Sequence, residues 1–344
     1  MTWAGDVPNT TSTPEPSIQS SANSASGVAT KPPEQSPVPL VIRIDKTTVQ
    51  KYASTDYDVD RPVDQLVLGA RARGDSRTIG KSHAVMVANP RVATFDIVFK
   101  GQTSTTTTSV NEPGIVYGRT FTELCCTRRI VFDPKQGFIV KGESECEGKT
   151  KLVYDGFGST QQFGRRLITR ITERKAQQMH EEARLIADRD NKRDVRQEFD
   201  KEVEQQLTAA NQGLNLQQLS EQFFGKDSQL EFFTKSDVDA IHIGLGPAGE
   251  KYAPITKLPP RQPNSQGVEV FVHASILSEP VAAALKLVTP AKKMTLVERS
   301  TILGSLKILP SSVSSTADVA LQDGWLVLGL PEVGAPATAA ASTD

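Results

Sequence analysis

From Ser159 to Gly213 the sequence contains no proline. No other feature constrains the fold as much. Ser159 or Thr160 can cap the start of a helix, and Asn211-Gln212-Gly213 supplies a stop. A continuous helix over 160–212 would be about 80 Å long at ~1.5 Å per residue. Apolar residues cluster early (Phe163, Leu167, Ile168, Ile171) and late (Val195, Phe199, Val203, Leu207), with a polar "DRDNKRD" between them. The best heptad frame runs through Ile168, Ile171, Leu185, Phe199 and Val203. It would also put Lys175, Gln178, Glu182, Arg189, Lys192, Arg196 and Gln206 at core positions. A two-helix seam does not tolerate that many polar knobs. The expectation is one very long helix that packs both ends on its own protein, with an exposed middle and a kink near Asp190-Asn191.

Its charges oppose the helix macrodipole. The first turns carry Arg165, Arg166, Arg170, Arg174 and Lys175 against Glu173; the last carry Glu198, Asp200, Glu202 and Glu204 against Lys201. The reverse is favoured by ~0.3–1 kcal/mol per terminal charge, so packing or a partner must outweigh it. Arg166, Arg170 and Arg174 share one face. They form either an anion-binding stripe or a solvated face paired with acidic parts of the sheet.

Ahead of the helix the apolar period is two. "PLVIRID", "QLVLGARARG", "HAVMVANP", "VATFDIVFKG", "GIVYGRTFTEL", "RRIVFDP" and "FIVKGE" alternate and are punctuated by Gly, Asn-Pro or Asp-Pro. This spacing predicts an antiparallel meander. The run "TSTTTTSV" at 103–110 lacks the Gly, Pro or charge of a linker, and threonine favours extended backbone. It reads as one strand or bent ribbon with 91–102. Beyond Lys100-Gly101 both faces are polar, so solvent exposure is expected there. Asn111-Glu112-Pro113-Gly114 turns the chain, and 115–124 returns beside it.

After the helix, "LNLQQLSEQFFG" reads as a short helix and "LEFFTKSDVDAIHIGLG" as two strands. "PITKLPPRQPNSQG" is a connection, and "KMTLVER", "LKILPS" and "GWLVLGL" are closing strands. "PLVIRIDKTTVQKYAS" and "GVEVFVHASILSEPVAAAL" share a pattern, strand into helix-like segment. Leu40, Ile42 and Ile44 match Val268, Val270 and Val272, which hints at pseudo-symmetry. The expected fold is α+β: a disordered arm over 1–38, a β-rich part over 39–158, the helix over 159–213, a mixed part over 214–330 packing with the first, and a disordered tail over 331–344.

Composition narrows the function. Lys+Arg number 39 and Asp+Glu 40, without the basic excess expected of a nucleic-acid binder. No apolar run reaches the ~18 residues of a membrane span. The start "MTWAGDVPNT" shows no secretory leader, which leaves a cytoplasmic location open beside an exported one. "GLGPAG" over 244–249 matches a dinucleotide fingerprint, but the prolines after it leave no helix to hold a pyrophosphate. "RGDS" over 73–76 reads as a turn at Gly74-Asp75; a nucleophilic role for Ser76 would require one of His83, His180, His242 or His273 beside it. No His, Cys or carboxylate grouping has metal-ligand spacing, so no metal, cofactor or catalytic residue is assigned. A turn near "DPKQG" folds 121–132 back on 138–149. Centred between Lys135 and Gln136 it sets Cys125 opposite Cys146; a one-residue change sets Cys126 there. A cross-strand disulfide of Cys146 would imply an oxidising compartment.

The order of meander ("LGARARGDSRTIGKSHAVMVANPRVATFDIVFKG", then "EPGIVYGRTFT" and "RRIVFDPKQGF"), charged helix and "VEVFVHASILSEPVAAAL" resembles a family of uncharacterised proteins of planctomycete bacteria, over roughly 39–330. The resemblance implies an exported protein, and the family has no established activity to transfer. More remotely, a long helix against a curved antiparallel sheet resembles tubular lipid-binding domains, which line an apolar tunnel that way. The expectation is a non-catalytic cell-envelope or exported protein, periplasmic or extracellular, with a structural or binding role. Its partner would be an envelope component or a lipid; the alternative is a carrier holding a hydrophobic or lipid ligand between helix and sheet.

Overall fold

The computed structural model describes residues 36–213, 221, 224–226, 228–253, 255, 258–260, 267–277, 318–322 and 324–330. The arm before Ser36, most of the short helix read after Gly213, much of the Pro-rich connection, the segments "KMTLVER" and "LKILPS" and the tail lie outside the described residues.

Among the described residues, two six-stranded antiparallel sheets make up the fold. The first contains β1 (Leu40–Asp45), β8 (Leu230–Ser236), β9 (Ala240–Pro247), β10 (Val268–His273), β11 (Asp318–Gln322) and β12 (Trp325–Leu330), in the order β11-β12-β10-β1-β9-β8. It has a pseudo-dyad between β1 and β10. Leu40, Ile42 and Ile44 pair with Val272, Val270 and Val268, so the two segments matched in the sequence are neighbours running in opposite directions. The relation extends outward. Asp45 pairs with Ala240 as His273 pairs with Trp325. Asp45 N–H donates to Gly267 O (2.7 Å) as His273 N–H donates to Pro39 O (2.8 Å). Lys46 N–H reaches Asp239 O (2.8 Å) as Ala274 N–H reaches Gly324 O (2.9 Å). After β1 comes a helix, α1 (Lys46–Ala53), and after β10 a 3-10 turn over Ala274–Ile276.

The second sheet contains β2 (Thr55–Val67), β3 (Ala70–Met86), β4 (Thr94–Asn111), β5 (Gly114–Asp133), β6 (Gly137–Val140) and β7 (Glu145–Ser159). The order is β2-β3-β4-β5-β6, with β7 also on β5, and the sheet curls into a half-barrel. The threonine run is the second half of β4, in register with β5 through to Asn111 opposite Gly114. Its inward face changes composition at Gly101, from Phe95, Ile97 and Phe99 to Thr103, Thr105 and Thr107. Gly101 sits opposite Gly80. A Cβ on either glycine would stand 2.5 Å from the Phe99 ring, so glycine is required for that ring to lie over the strand pair. Exposure of both faces beyond this point is corrected: Thr103 and Thr105 are buried. The turn expected at Gly74-Asp75 is absent as well. Both residues lie inside β3, paired with Thr107 and Thr106, and the chain reverses at Leu68-Gly69 instead.

The Pro-free stretch forms two helices rather than one very long one, α2 (Arg165–Gln178) and α3 (His180–Gly213). The break falls at Met179 (φ −97°, ψ 8°), not at Asp190-Asn191. His180 next to it is held against the sheet: its ring lies edge-on to Tyr154 and its Nε2 is 3.3 Å from Leu152 O. Asn191 is tethered too, its Nδ2 donating to Thr122 Oγ1 at 2.7 Å. Packing is the reverse of expectation at the start and middle. α2 has no buried residue, whereas Asp190 in the polar middle is buried. The late cluster behaves as expected, with Val195, Phe199, Val203 and Leu207 buried. They join Tyr57, Phe99, Phe132, Leu40, Ile42, Ile243 and Leu328 in one core shared by the two sheets. The acidic end of α3 is answered by sheet arginines: Arg61 to Glu198 and Arg128 to Asp200, each at 2.5 Å.

Candidate functional site: a groove between the helices and the sheet

The half of the curled sheet nearest Leu68 and Pro113 carries small side chains inward, and that is why space remains there. Where β4 presents Phe95, Ile97 and Phe99, α3 packs directly on it. Where β4 presents threonine and serine, side chains no longer bridge the distance to the helices. The result is a cavity of about 660 Å³ between β2–β5, β7 and the α2–α3 segment, within the size range of small-ligand sites.

Threonine makes this surface chemically mixed. On the lining, Thr78 and Thr103 share a hydrogen bond (2.9 Å) and Thr105 donates to Ser76 (3.0 Å); outside it, Thr122 and Thr150 share another (2.8 Å). Each pair is directly opposite in the strand register. Hydroxyls satisfied across strands leave methyl groups as additional contact surface. The helical wall is Ile168, Ile171, Ala176, Met179, Ala183 and Ala187, and Val67, Val116 and Leu152 complete the apolar part. At the other end stand Arg61, Asp190, Asn191, Arg193 and Asp194. Their charges are matched internally. Arg61 binds Glu198 (2.5 Å), and Arg193 lies 3.3 Å from Asp190 and 3.2 Å from Asp194. The groove is thus mixed: aliphatic and hydroxyl-lined over much of its wall, with matched charges at the Asp190 end and with Asp64, Glu112 and Lys175 also on its lining.

Of the residues singled out in the sequence, Ser76 lines this groove, whereas the arginine stripe and the cysteines do not. Arg166, Arg170 and Arg174 are exposed on α2, and no ion pair holds them among the described residues. The disulfide joins Cys126 to Cys146, and Cys125 is a free thiol. This corrects the Cys125–Cys146 pairing, for a reason of parity. Asp133 pairs with Gly137 in β6; after the 141–144 loop the chain resumes as β7, with Cys146 opposite Cys126. Cys126 faces inward and Cys125 lies on the opposite face of β5. Ser76 is one rung of the threonine network. His180 lies against Tyr154, His242 is 3.0 Å from Asp237, and His273 bonds Ser275. None of these contacts involves Ser76. Sequence reasoning missed the lining itself. The readable signals were alternation within the threonine run and the spacing of Ala176, Met179, Ala183 and Ala187 on one helical side.

Neither a family model nor a curated protein matches the sequence, so the resemblance to the planctomycete family has no support from them. Among solved structures, a crystal structure of lipopolysaccharide binding protein shares 10% identity over 72% of this chain, with a TM-score of 0.28. The match spans 59% of that protein. So slight a likeness carries no weight below.

Proposed function

We propose that this protein is a non-catalytic binder of a hydrophobic or amphipathic, lipid-like molecule, held in the groove between α2–α3 and the curled sheet. The observation that carries this reading is a cavity of about 660 Å³ whose walls combine aliphatic side chains with threonine methyls. Burial of apolar surface at ~25 cal/mol per Å² would supply most of the affinity. An exported or envelope location is supported by the Cys126–Cys146 disulfide, a bond favoured outside a reducing cytoplasm.

The test is titration of the purified chain with a fluorescent long-chain fatty acid, together with mass spectrometry of an organic extract of the protein. Saturable binding is expected, and Ala183→Phe, which intrudes on the helical wall, should weaken it at least tenfold while thermal unfolding stays cooperative. Absence of saturable binding, or equal binding by Ala183→Phe, would sink the reading. For location, intact mass of protein from its native cells under non-reducing and reducing conditions should show an oxidised pair; fully free thiols would count against export.

A further inference from the structure

We propose that α2 docks the protein on the surface of an anionic lipid bilayer. The helix carries Arg165, Arg166, Arg170, Arg174 and Lys175 against the single acid Glu173. None of these five cations has an ion pair among the described residues. Arginines on the exterior of the sheet contrast with them. Arg71 is held by Asp64, Arg77 by Asp58, Arg119 by Asp155 and Arg129 by Asp96. The positive charge of α2 is therefore uncompensated within the fold as described.

Apolar exposure accompanies the charge. Phe163, just before the helix, is 96% exposed, Leu167 is 65% and Ile171 is 58%. Single exposed apolar residues are ordinary, but Leu167 and Ile171 stack one turn apart on α2, and Phe163 precedes them across Gly164, the left-handed residue at the start of the helix. Rows around a helix follow in a fixed order. The row Ile168, Thr172, Ala176 lines the groove. The pair Leu167 and Ile171 flanks that row, and Arg166, Arg170 and Arg174 occupy the side away from it. Ile171 belongs to that pair and to the groove lining, so apolar surface is continuous from the groove to the exterior. A soluble polyanion would satisfy the arginines and leave these apolar side chains in water. An anionic bilayer interface accepts both, apolar side chains at the headgroup boundary and cations among lipid phosphates. The docking rests on these exposed rows and does not depend on what fills the groove.

The experiment is flotation of the full chain with vesicles of phosphatidylcholine, or of phosphatidylcholine and phosphatidylglycerol in equal parts, at low and at physiological salt. Binding is expected for the anionic vesicles only, and weaker as salt rises. Each arginine replaced by glutamine should weaken it about 5-fold, so Arg166→Gln/Arg170→Gln/Arg174→Gln should lose about 100-fold. Phe163→Ser/Leu167→Ser/Ile171→Ser should also release the protein. Because both sets are exposed, circular dichroism should show each variant folded. Arg71→Gln/Arg73→Gln, on the exposed face of β3, should bind as the unaltered protein does. The proposal is overturned by absence of binding to anionic vesicles, by equal binding to neutral ones, or by full retention in either triple variant. Binding to heparin that survives the serine variant, with vesicle binding indifferent to it, would assign the face to soluble polyanions instead. Vesicle binding and fatty-acid binding are separate readouts, so the loss of one leaves the other standing.

Discussion

Replacing Phe199 with alanine should cost about 4 kcal/mol, within the ~3–5 range for a fully buried phenylalanine. Phe199 is 1% exposed, and its ring centroid lies 6.2 Å from that of Phe99, which in turn meets Tyr57 edge-on at 4.9 Å. Relaxation should be limited. The facing strands β2, β3 and β4 are paired along their length, and Phe199, Tyr57, Val59 and Val195 already line a small void of about 10 Å³. The space vacated would therefore stay open. Against a total stability of ~5–15 kcal/mol, this is a large fraction. The paired control is Leu167→Ala on α2, where exposure is 65% and the change should stay within about 0.5 kcal/mol. Both are read by urea unfolding followed by far-UV circular dichroism. The midpoint should fall strongly for Phe199→Ala with little change in slope, and barely move for Leu167→Ala. The reasoning fails if Phe199→Ala costs less than about 1 kcal/mol, or if Leu167→Ala costs as much as Phe199→Ala.

Three further outcomes are expected. Glu269 is 1% exposed and pairs with Arg43, itself over the Phe271 ring; Arg43→Ala removes that charged hydrogen bond and the cation over the ring and should cost about 1.5–3 kcal/mol, and a denaturation midpoint equal to the unaltered protein's would refute the contribution of the pair. Burial holds the His242 imidazole below its usual pKa, outweighing the opposing hydrogen bond that its ring donates to Asp237. The unfolded chain therefore takes the proton first, and stability should fall as pH drops below about 6.5 and level off below the depressed folded value; thermal melts of His242→Asn across that window should show a shallower decline, with His273, also lowered by burial, keeping a remainder. Thiol labelling of the native protein should modify Cys125 alone, and labelling of Cys126 or Cys146 without reductant would contradict the disulfide.

The strands were legible because their causes are local. Alternation at Leu40, Ile42 and Ile44 states which face is buried, and β-branching states that the threonine run is extended. The pseudo-dyad was legible for the same reason: two segments with the same strand pattern can both serve one sheet. What escaped depends on which surface meets which. The inward face of Thr103 and Thr105 is buried because helices lie over it, and nothing in a polar run announces a roof. Phe163, Leu167 and Ile171 look like core residues by period, yet only tertiary placement decides that the late cluster of α3 is buried and the early one is not. The break at Met179 has no proline or glycine to mark it; the attachment of His180 to β7 sets it. The cysteine pairing turned on one residue of register, below the accuracy with which a turn can be placed from sequence.

The pseudo-dyad also explains why the groove can exist. In one half of the first sheet, the chain between β1 and the β8–β9 hairpin contains the whole second sheet and both long helices. In the other half, the chain between β10 and the β11–β12 hairpin is far shorter. The longer insertion leaves the first sheet at Asp45 and re-enters it at Leu230, at opposite ends of β9: Asp45 pairs with Ala240 and Leu230 with Pro247. Its near end is fixed to the first sheet. Thr94 N–H donates to Ser236 Oγ (3.0 Å), Ser236 Oγ donates to Val87 O (2.6 Å), and Phe132 packs on Phe232. That end supplies the core, with Phe95, Ile97, Phe99 and Phe199 filling it. The far half of the sheet is held by strand pairing and by cross-strand hydroxyl bonds, so its inward positions are free of the packing role that requires large side chains. Threonine, alanine and glycine there leave volume without removing what keeps the strands together. A groove therefore forms at the end of the insertion distant from the dyad, where α2 needs no buried residue and its Leu167 and Ile171 can remain outside.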